Sequence, residues 1–267
     1  MDKTKIAVII PARFESMRLP DKIMLDINGK TLIRRVYDNV RKSYDNENIF
    51  IAADNPKVVE HINRFGANCV MTDPNLQSGT DRIAAALKEI DPDGKKYDIV
   101  VNFQGDNINV NPDINNDLID TMISTGADIV TVCQKISRPE EITNPSLVKI
   151  ALGLKKGERV GRCLYFSRAP IPYDRSHNDY VTAFKSGIPD IAYWHIGIYV
   201  YNAKSLQTFV NLPVGVLEDK EKLEQLRALE NGMSVYAVLF DDVRLIKHAP
   251  ADINTPEEYQ EALRWIK

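Results

Sequence analysis

Short apolar runs alternate with helical patterns through the first hundred residues, and this alternation restricts the fold more than any other feature of the chain. The apolar runs cover residues 6–10, 48–53, 68–71 and 97–103. The stretches between them place apolar residues at helical spacing, over residues 31–40, 56–65 and 80–90. Strands that alternate with helices over short loops pair in parallel, with right-handed crossovers. The sequence therefore predicts an α/β fold built on a parallel sheet.

The pattern changes after about residue 125. The later part of the chain contains a turn at 157–161, a charged helical pattern from about 217 to 231, and β-like runs at 128–134, 148–152, 162–166, 192–201 and 234–240. A mixed half of this kind inserts antiparallel strands that complete a substrate pocket or pair with another subunit. The sequence contains neither an internal repeat nor a low-complexity linker, so we expect residues 1–267 to form one structural unit.

Composition excludes several classes of partner. Hydrophobic residues make up 44% and charged residues 27% of the chain, which is typical of a packed globular protein. The net charge of −3 disfavours nucleic-acid binding through a general basic field. Cys69, Cys133 and Cys163 have neither metal-ligand nor disulfide spacing, which favours core thiols in a reducing cytoplasm. No run approaches the roughly 18 apolar residues of a membrane span. We therefore expect a soluble cytoplasmic protein that binds neither nucleic acid nor a membrane.

A cationic loop follows the first apolar run. Within ten residues it carries Arg13, Arg18 and Lys22, together with the hydroxyl of Ser16. Open α/β sheets bind ligands at the carboxyl ends of their strands, which is where this loop is expected to lie. Three cations there suit a polyanion such as a nucleoside triphosphate. The alternative is a solvated basic turn.

Carboxylates that suit a divalent cation occur in two segments. Asp106 ends the segment Gln104-Gly105-Asp106, directly after the apolar run 97–103, although Gly-Asp is also a common turn. Asp252 and Asn254 are two residues apart, so an extended backbone would project both toward one ion. The same stretch also has the pattern of a helix start, with Asn254 or Thr255 as the cap. Both interpretations can hold together.

A third candidate site opens the helical pattern at residue 80. The backbone amides around Ser78 and Gly79 would present a partial positive charge to an anion or to a pyrimidine carbonyl. Arg82 lies one turn further and can point back toward the same pocket. A generic helix cap is the alternative.

The second half supplies residues that suit an acidic, hydroxylated ligand. Arg168 is placed to meet a carboxylate or phosphate, and period-two projection puts His195 and Tyr199 on one strand face. A lone histidine followed by aliphatic residues is more often structural than catalytic. Glu224 and Gln225 lie in a pattern that also fits an exposed charged helix.

These segments resemble the sugar-acid cytidylyltransferases, and most of all the CMP-Kdo synthetase family, the 3-deoxy-manno-octulosonate cytidylyltransferases. Residues 10–22 are similar to the family signature Ile-Pro-Ala-Arg-x-x-Ser-x-Arg-x-Pro-Gly-Lys. Five further motifs follow in family order, at 77–82, 104–106, 165–172, 195–199 and 223–227. The resemblance extends from Ile6 to about Glu258.

The chain departs from the family pattern at several positions. Asp21 stands where the family usually has glycine, and Asn107 and Ile108 replace its Glu-Pro. Asn254 replaces the aspartate of the family's Gly-x-Asp-Thr-Pro. Asp252 matches the first aspartate of the related sialic-acid-type enzymes, so we expect it to supply the charge that Asn254 lacks.

The resemblance implies a Rossmann-like nucleotidyltransferase fold with a mostly parallel sheet and an inserted β-rich region. Residues 1–125 would mainly bind CTP, residues 126–240 would bind sugar and form a homodimer, and residues 241–267 would hold the metal loop and a C-terminal helix. It implies transfer of CMP from CTP to the anomeric hydroxyl of a 3-deoxy-2-ulosonic acid, most of all Kdo, in lipopolysaccharide synthesis. Mg²⁺ would be the cofactor.

The resemblance also assigns roles to residues. The catalytic residues would be Arg13, Lys22 and Asp106, and Mg²⁺ would be held by Asp106, Asp252 and Asn254. The nucleotide would contact Ala12, Arg13, Ser16, Arg18, Lys22, Ser78, Gly79, Arg82 and Gln104. The sugar would contact Gln104, Arg168, His195, Tyr199, Glu224 and Gln225.

Two alternatives remain open from the sequence. The same chemistry could act on 8-amino-8-deoxy-Kdo or another acid sugar, and both Asn107 and the segment 215–219 could alter sugar contacts. A non-catalytic sugar-nucleotide-binding protein is favoured only by Asn254 and is opposed by Arg13, Lys22 and Asp106.

Overall fold

The chain folds into two compact units. The computed structural model describes residues 5–16, 18–177, 182–183 and 192–267. The first unit comprises Met1–Asn116, Tyr201–Val210 and Val243–Lys267, and the second comprises Asp117–Val200 and Asn211–Asp242. The division of a single domain into residues 1–125, 126–240 and 241–267 stays a prediction.

The strands are β1 (Ile6–Ala12), β2 (Asp26–Ile27), β3 (Lys30–Thr31), β4 (Ile49–Ala53), β5 (Asn68–Met71), β6 (Ile99–Asn102), β7 (Ile129–Lys135), β8 (Lys149–Gly153), β9 (Val160–Ser167), β10 (Tyr193–Asn202) and β11 (Val235–Phe240). The helices are α1 (Leu32–Val40), α2 (Pro56–Arg64), α3 (Gly79–Ile90), α4 (Ile114–Thr125), α5 (Pro139–Thr143), α6 (Ala203–Val210), α7 (Val216–Glu221), α8 (Gln225–Glu230) and α9 (Pro256–Trp265). Most predicted strands and helices lie within two residues of these bounds. None of the described helices is long and apolar enough to cross a lipid bilayer.

A parallel sheet forms the core of the first unit. Its strands lie in the order β5-β4-β1-β6, and β1 pairs in parallel with both β4 and β6, as in Val8 opposite Ile49 and Val101. All seven residues of β1 are buried, which is typical of a parallel strand covered on both faces. Because parallel strands share an orientation, the loops after β1, β4, β5 and β6 all leave the same edge of the sheet.

The second unit contains strands in both orientations. β11 runs parallel to β7 and antiparallel to β9, while β8 runs antiparallel to β9 and β10. The sheet is therefore mixed, and the expectation that it would be mostly parallel is not confirmed. The connection between β8 and β9 explains part of the difference, since a short turn at Gly157, with φ of +84°, returns the chain directly.

The single charged helix expected near residues 217–231 is instead two short helices, α7 and α8. Lys222 ends α7 in the left-handed region, with φ of +53°. Leu223 follows it and is buried. The break in the helix at Lys222 allows Leu223 to be buried. A charge pattern at helical spacing does not predict such a break.

Candidate active site

A cleft of about 700 Å³ lies at the carboxyl edge of the parallel sheet in the first unit. Segments after β1, before α3 and after β6 line it. Its lining includes most of the predicted nucleotide-binding and catalytic residues: Arg13, Ser16, Arg18, Lys22, Ser78, Gly79, Arg82, Gln104 and Asp106. Ala12 ends β1 and is fully buried, so its side chain lies in the core. The structure thus gathers residues from segments almost a hundred positions apart.

The Lys22 ammonium lies between the two predicted metal-binding segments. Its Nζ is 2.6 Å from Asp106 Oδ2 and donates to Asn254 Oδ1 at 3.0 Å. Arg18 also donates to Asn254 Oδ1, at 3.4 Å. The Lys22 and Asp106 side chains are only 15% and 21% exposed, so water screens their attraction less than at an open surface.

Asp21 sets the conformation of the backbone that presents Lys22. It has φ of +52° and precedes the short 3₁₀ helix Lys22–Met24. Residues with a Cβ rarely occupy this left-handed region, although aspartate tolerates it better than most. The resembling signature has glycine here, which adopts the same backbone without steric cost.

Gly105 lets two walls of the cleft approach one another. A Cβ on Gly105 would overlap the carbonyl oxygen of Pro11. At the start of α3, Ser78 Oγ accepts from Asp81 N and Asp81 Oδ2 accepts from Ser78 N, each at 3.1 Å, which forms a capping box. The Ser78 hydroxyl therefore holds the helix end. A Cβ on Gly79 would lie 3.8 Å from the Pro11 side chain, which is an ordinary van der Waals contact.

Asp252 and Asn254 lie in a loop whose end is also a helix start. Thr255 caps α9, and Glu258 Oε2 accepts from the amides of Asn254 and Thr255 at 2.6 and 3.0 Å. The helix-start interpretation is therefore confirmed, with Thr255 as the cap, and the metal-ligand interpretation stays a prediction. Asn254 Nδ2 donates to Asp252 Oδ2 at 2.8 Å.

The carboxylates of this loop crowd together. Burial, followed by the charges of Asp106 and Glu258, raises the pKa of Asp252 to about 6, and Lys22 opposes that shift. A divalent cation would relieve this crowding, and two carboxylates with one amide oxygen are hard oxygen donors that suit Mg²⁺. The described residues contain no group of three or more His, Cys, Asp or Glu side chains that could hold a metal ion, so a donor set here would need the amide oxygen of Asn254 beside the two carboxylates.

A buried ion pair under the cleft was not found from the sequence. Arg82 lies 3.0 Å from Asp54 Oδ2, and their side chains are 1% and 6% exposed. Arg82 also donates to Thr72 Oγ1 at 2.5 Å, and Phe14 N donates to Asp54 Oδ1 at 2.8 Å. Asp54 thereby ties the cationic loop to α3. The sequence feature that could have indicated Asp54 is its position directly after β4, at the same edge of the sheet as the cationic loop.

The predicted sugar-binding residues other than Gln104 lie in the second unit. The Arg168 guanidinium donates to three backbone carbonyls. These are the carbonyls of Glu221 at 2.7 Å, Pro145 at 3.0 Å and Lys222 at 3.3 Å. Glu221, which the sequence analysis missed, accepts from Ser167 Oγ at 2.5 Å and from Arg168 N at 2.9 Å. Arg168 therefore fixes the chain around α7.

His195 is buried beside aromatic rings. Its Nε2 is 3.0 Å from Thr131 Oγ1, and its ring lies 5.0 Å from Phe166 and 5.5 Å from Tyr199. Burial lowers the pKa of His195 to about 3, so the imidazole is neutral at physiological pH. Gln225 is buried at the start of α8 and Glu224 directly precedes it.

Comparison with known proteins agrees with this geometry. The cytidylyltransferase family model matches residues 7–235. The 3-deoxy-manno-octulosonate cytidylyltransferase of Paramagnetospirillum magneticum is 40% identical over 92% of this chain and 94% of that protein. The enzyme of the same name from Rhodospirillum rubrum is 39% identical over 96% of this chain and 93% of that protein.

A solved structure extends the similarity to three dimensions. CMP:2-keto-3-deoxy-manno-octonic acid synthetase complexed with CTP superposes with a TM-score of 0.81 at 30% identity, over 97% of both chains. The family resemblance inferred from the motifs is thus confirmed. On sequence and structure together, this chain belongs to the cytidylyltransferase family and is a nucleotidyltransferase.

Proposed function

We propose that the chain transfers CMP from CTP to the anomeric hydroxyl of Kdo (3-deoxy-manno-octulosonate) and releases pyrophosphate. The observation that carries this proposal is the cleft of the first unit, where Arg13, Arg18 and Lys22 line a space of about 700 Å³, a volume that suits a nucleotide. The names of the similar proteins support CTP and Kdo as the substrates.

The residues of the cleft would act by position and charge. The hydroxyl oxygen of the sugar attacks the α-phosphorus, the bond to the bridging oxygen of the β-phosphate breaks, and the hydroxyl proton leaves to solvent. Arg13, Arg18 and Lys22 would hold the phosphates and offset charge that develops on their oxygens. The amides of Ser78 and Gly79 would meet the pyrimidine edge, so CTP should stabilise the protein more than ATP or GTP.

Mg²⁺ is the proposed cofactor, held by Asp106, Asp252 and Asn254. When bound, it would offset charge on the triphosphate. Asp252 and Asp106 would provide the two anionic oxygens, and the neutral Asn254 a third ligand. The crowding that raises the pKa of Asp252 supports this donor set.

The choice of sugar is proposed to rest on Gln104 and on residues of the second unit. Arg168, His195, Tyr199, Glu224 and Gln225 would form that set, the neutral His195 as a hydrogen-bonding group rather than as a base. We propose a homodimer, supported by apolar side chains of the second unit that are 62–72% exposed, at Leu164, Val214 and Val216. The proposal places the enzyme in the cytoplasm, in keeping with its three free cysteines.

Pyrophosphate release tests the proposal. CTP is supplied with Kdo, 8-amino-8-deoxy-Kdo or a sialic-type acid, and we expect the highest kcat/KM with Kdo and no release without Mg²⁺. Higher kcat/KM with another acid would reassign the sugar, and no release with any acid would favour a binding protein.

Lys22→Ala tests the cleft itself. It should lower kcat by an amount equivalent to about 3 kcal/mol without a large change in melting temperature. Lys30→Ala is the matched control, because Lys30 pairs with Asp38 at 2.6 Å on the surface, with half of its side chain exposed. Equal turnover of the two variants would show that the cationic loop is only a solvated turn.

A further inference from the structure

Asn109 uses every polar group it has to hold the loop that carries Asp252 and Asn254. Its side-chain Nδ2 donates to the carbonyls of Ile246 at 2.8 Å and Ala249 at 3.1 Å, and its Oδ1 accepts from Ile246 N at 2.8 Å. Its backbone N donates to Ala251 O at 3.1 Å, and its carbonyl accepts from Leu245 N at 2.9 Å. Asn109 is only 2% exposed, so few of these bonds compete with water.

The loop depends on such contacts because it has almost no regular structure of its own. Between β11 and α9, a stretch that is described throughout, it contains one isolated bridge, from Arg244 to Val110. One further backbone bond joins the two segments near the carboxylates, from Ile253 N to Asp106 O at 3.3 Å. Ile253 lies between the two proposed metal ligands of the loop.

We infer that Asn109 is a positioning residue that sets Asp252 and Asn254 against Asp106. Asn109 is three residues beyond Asp106, where the similarity to the family motif has already ended. Its side-chain polar atoms are all paired with the loop, so it would act through the loop. Groups that orient metal ligands typically change metal affinity by about 10- to 100-fold when they are removed. The inference rests on the proposed metal site.

Asn39 provides a matched control. It is also buried, at 4% exposed, and its Nδ2 donates at 2.7 Å to the carbonyl of Val110, the residue next to Asn109. That bond connects α1 to the same segment but does not involve the loop. Asn39→Ala should therefore lower stability without changing the loop.

The first readout is binding of Mn²⁺, a probe for Mg²⁺, followed by electron paramagnetic resonance with CTP present and no sugar. Asn109→Ala should weaken the affinity for Mn²⁺ by about 10- to 100-fold, and the milder Asn109→Ser should weaken it by less. Asn39→Ala should bind Mn²⁺ as the unmodified protein does. The Mg²⁺ concentration at half-maximal pyrophosphate release should shift in the same order.

The second readout needs no metal. Hydrogen exchange of amides 245–253 in the metal-free protein should accelerate in both Asn109 variants and stay unchanged in Asn39→Ala. If Asn109→Ala does not fold, Asn109→Ser carries the test. Unchanged Mn²⁺ affinity in a folded Asn109 variant, or an equal loss in Asn39→Ala, would overturn the inference. Failure of the unmodified protein to bind Mn²⁺ with CTP would instead overturn the proposed metal site.

Discussion

Asp54→Ala should be among the most damaging single substitutions in the first unit. The change leaves the Arg82 guanidinium, which is 1% exposed, without the carboxylate that pairs with it, and it removes the acceptor for Phe14 N. The neutral contacts that remain, Thr72 Oγ1 at 2.5 Å and the carbonyl of Asp73 at 3.4 Å, do not offset a full charge. Breaking one side of a buried pair in this way costs about 3–5 kcal/mol.

Thermal melting followed by circular dichroism measures the effect. A loss of about 3–5 kcal/mol corresponds to a fall of roughly 10 °C for a chain of this size. The melting temperature of Asp54→Asn should fall less, because the amide oxygen of the new side chain can still accept from Phe14 N. The control is Glu60→Ala, which breaks an exposed pair with Arg64 at 2.5 Å and should cost less than about 1 kcal/mol.

The same substitution should also affect the proposed nucleotide site. Asp54 holds the loop at Phe14, next to Arg13, so Asp54→Ala should raise the KM for CTP below the melting transition. Equal melting temperatures for Asp54→Ala and Glu60→Ala would refute the reasoning, since the buried pair would then contribute no more than a surface pair.

Two further predictions concern the second unit. The Glu230 carboxylate caps the start of α7, because it accepts from Leu217 N at 3.0 Å and from Glu218 N at 3.3 Å. A Cβ on Gly215 would overlap this carboxylate. Gly215→Ala should therefore displace the cap and lower the free energy of unfolding, measured with denaturant, by about 1 kcal/mol. A Glu230→Ala background should remove most of that cost, and full additivity in the double-mutant cycle would contradict the clash. Burial lowers the pKa of His195 to about 3, so its ring resonance should not titrate by NMR between about pH 5 and 8. Because only the unfolded chain takes up that proton, His195 should lower the free energy of unfolding as the pH falls below about 6.5. An NMR titration midpoint near pH 6.5 for the folded protein would show that the ring is not buried.

The sequence was most informative where one chain segment carries the whole signal. The buried run of β1 and the pattern of α3 depend on residues that are neighbours in sequence, and both elements lie within two residues of their predicted bounds. The cationic loop could be placed for the same reason, because its position follows from the strand it leaves. Strand orientation in the second unit depends on how distant segments pair, so a β-like run predicts a strand but not its direction.

Asp54 and Asn109, two of the residues that the structure adds, share a different property. Their partners are backbone groups and one charge that folding brings together: Phe14 is 40 residues from Asp54, and Ile246 is 137 residues from Asn109. An aspartate after a strand or an asparagine after a glycine-aspartate turn is too common to mark such a role. Only the paired atoms distinguish them from solvated loop residues.

Arg82 and Lys22 differ in a way that residue type alone does not show. From the sequence, Arg13, Arg18 and Lys22 are expected to hold the phosphates, and Arg82 is a further cation that can point toward the same pocket. In the structure Arg82 is neutralised by Asp54 below the cleft, whereas the ammonium of Lys22 is shared between Asp106 and Asn254 at its edge. A ligand that draws Lys22 away from Asp106 frees a carboxylate that a cation can use, while a ligand that draws Arg82 away from Asp54 leaves a buried charge unpaired. We therefore expect the partners of Lys22 to exchange more readily than those of Arg82, and we expect Arg82 to act chiefly through its buried pair with Asp54.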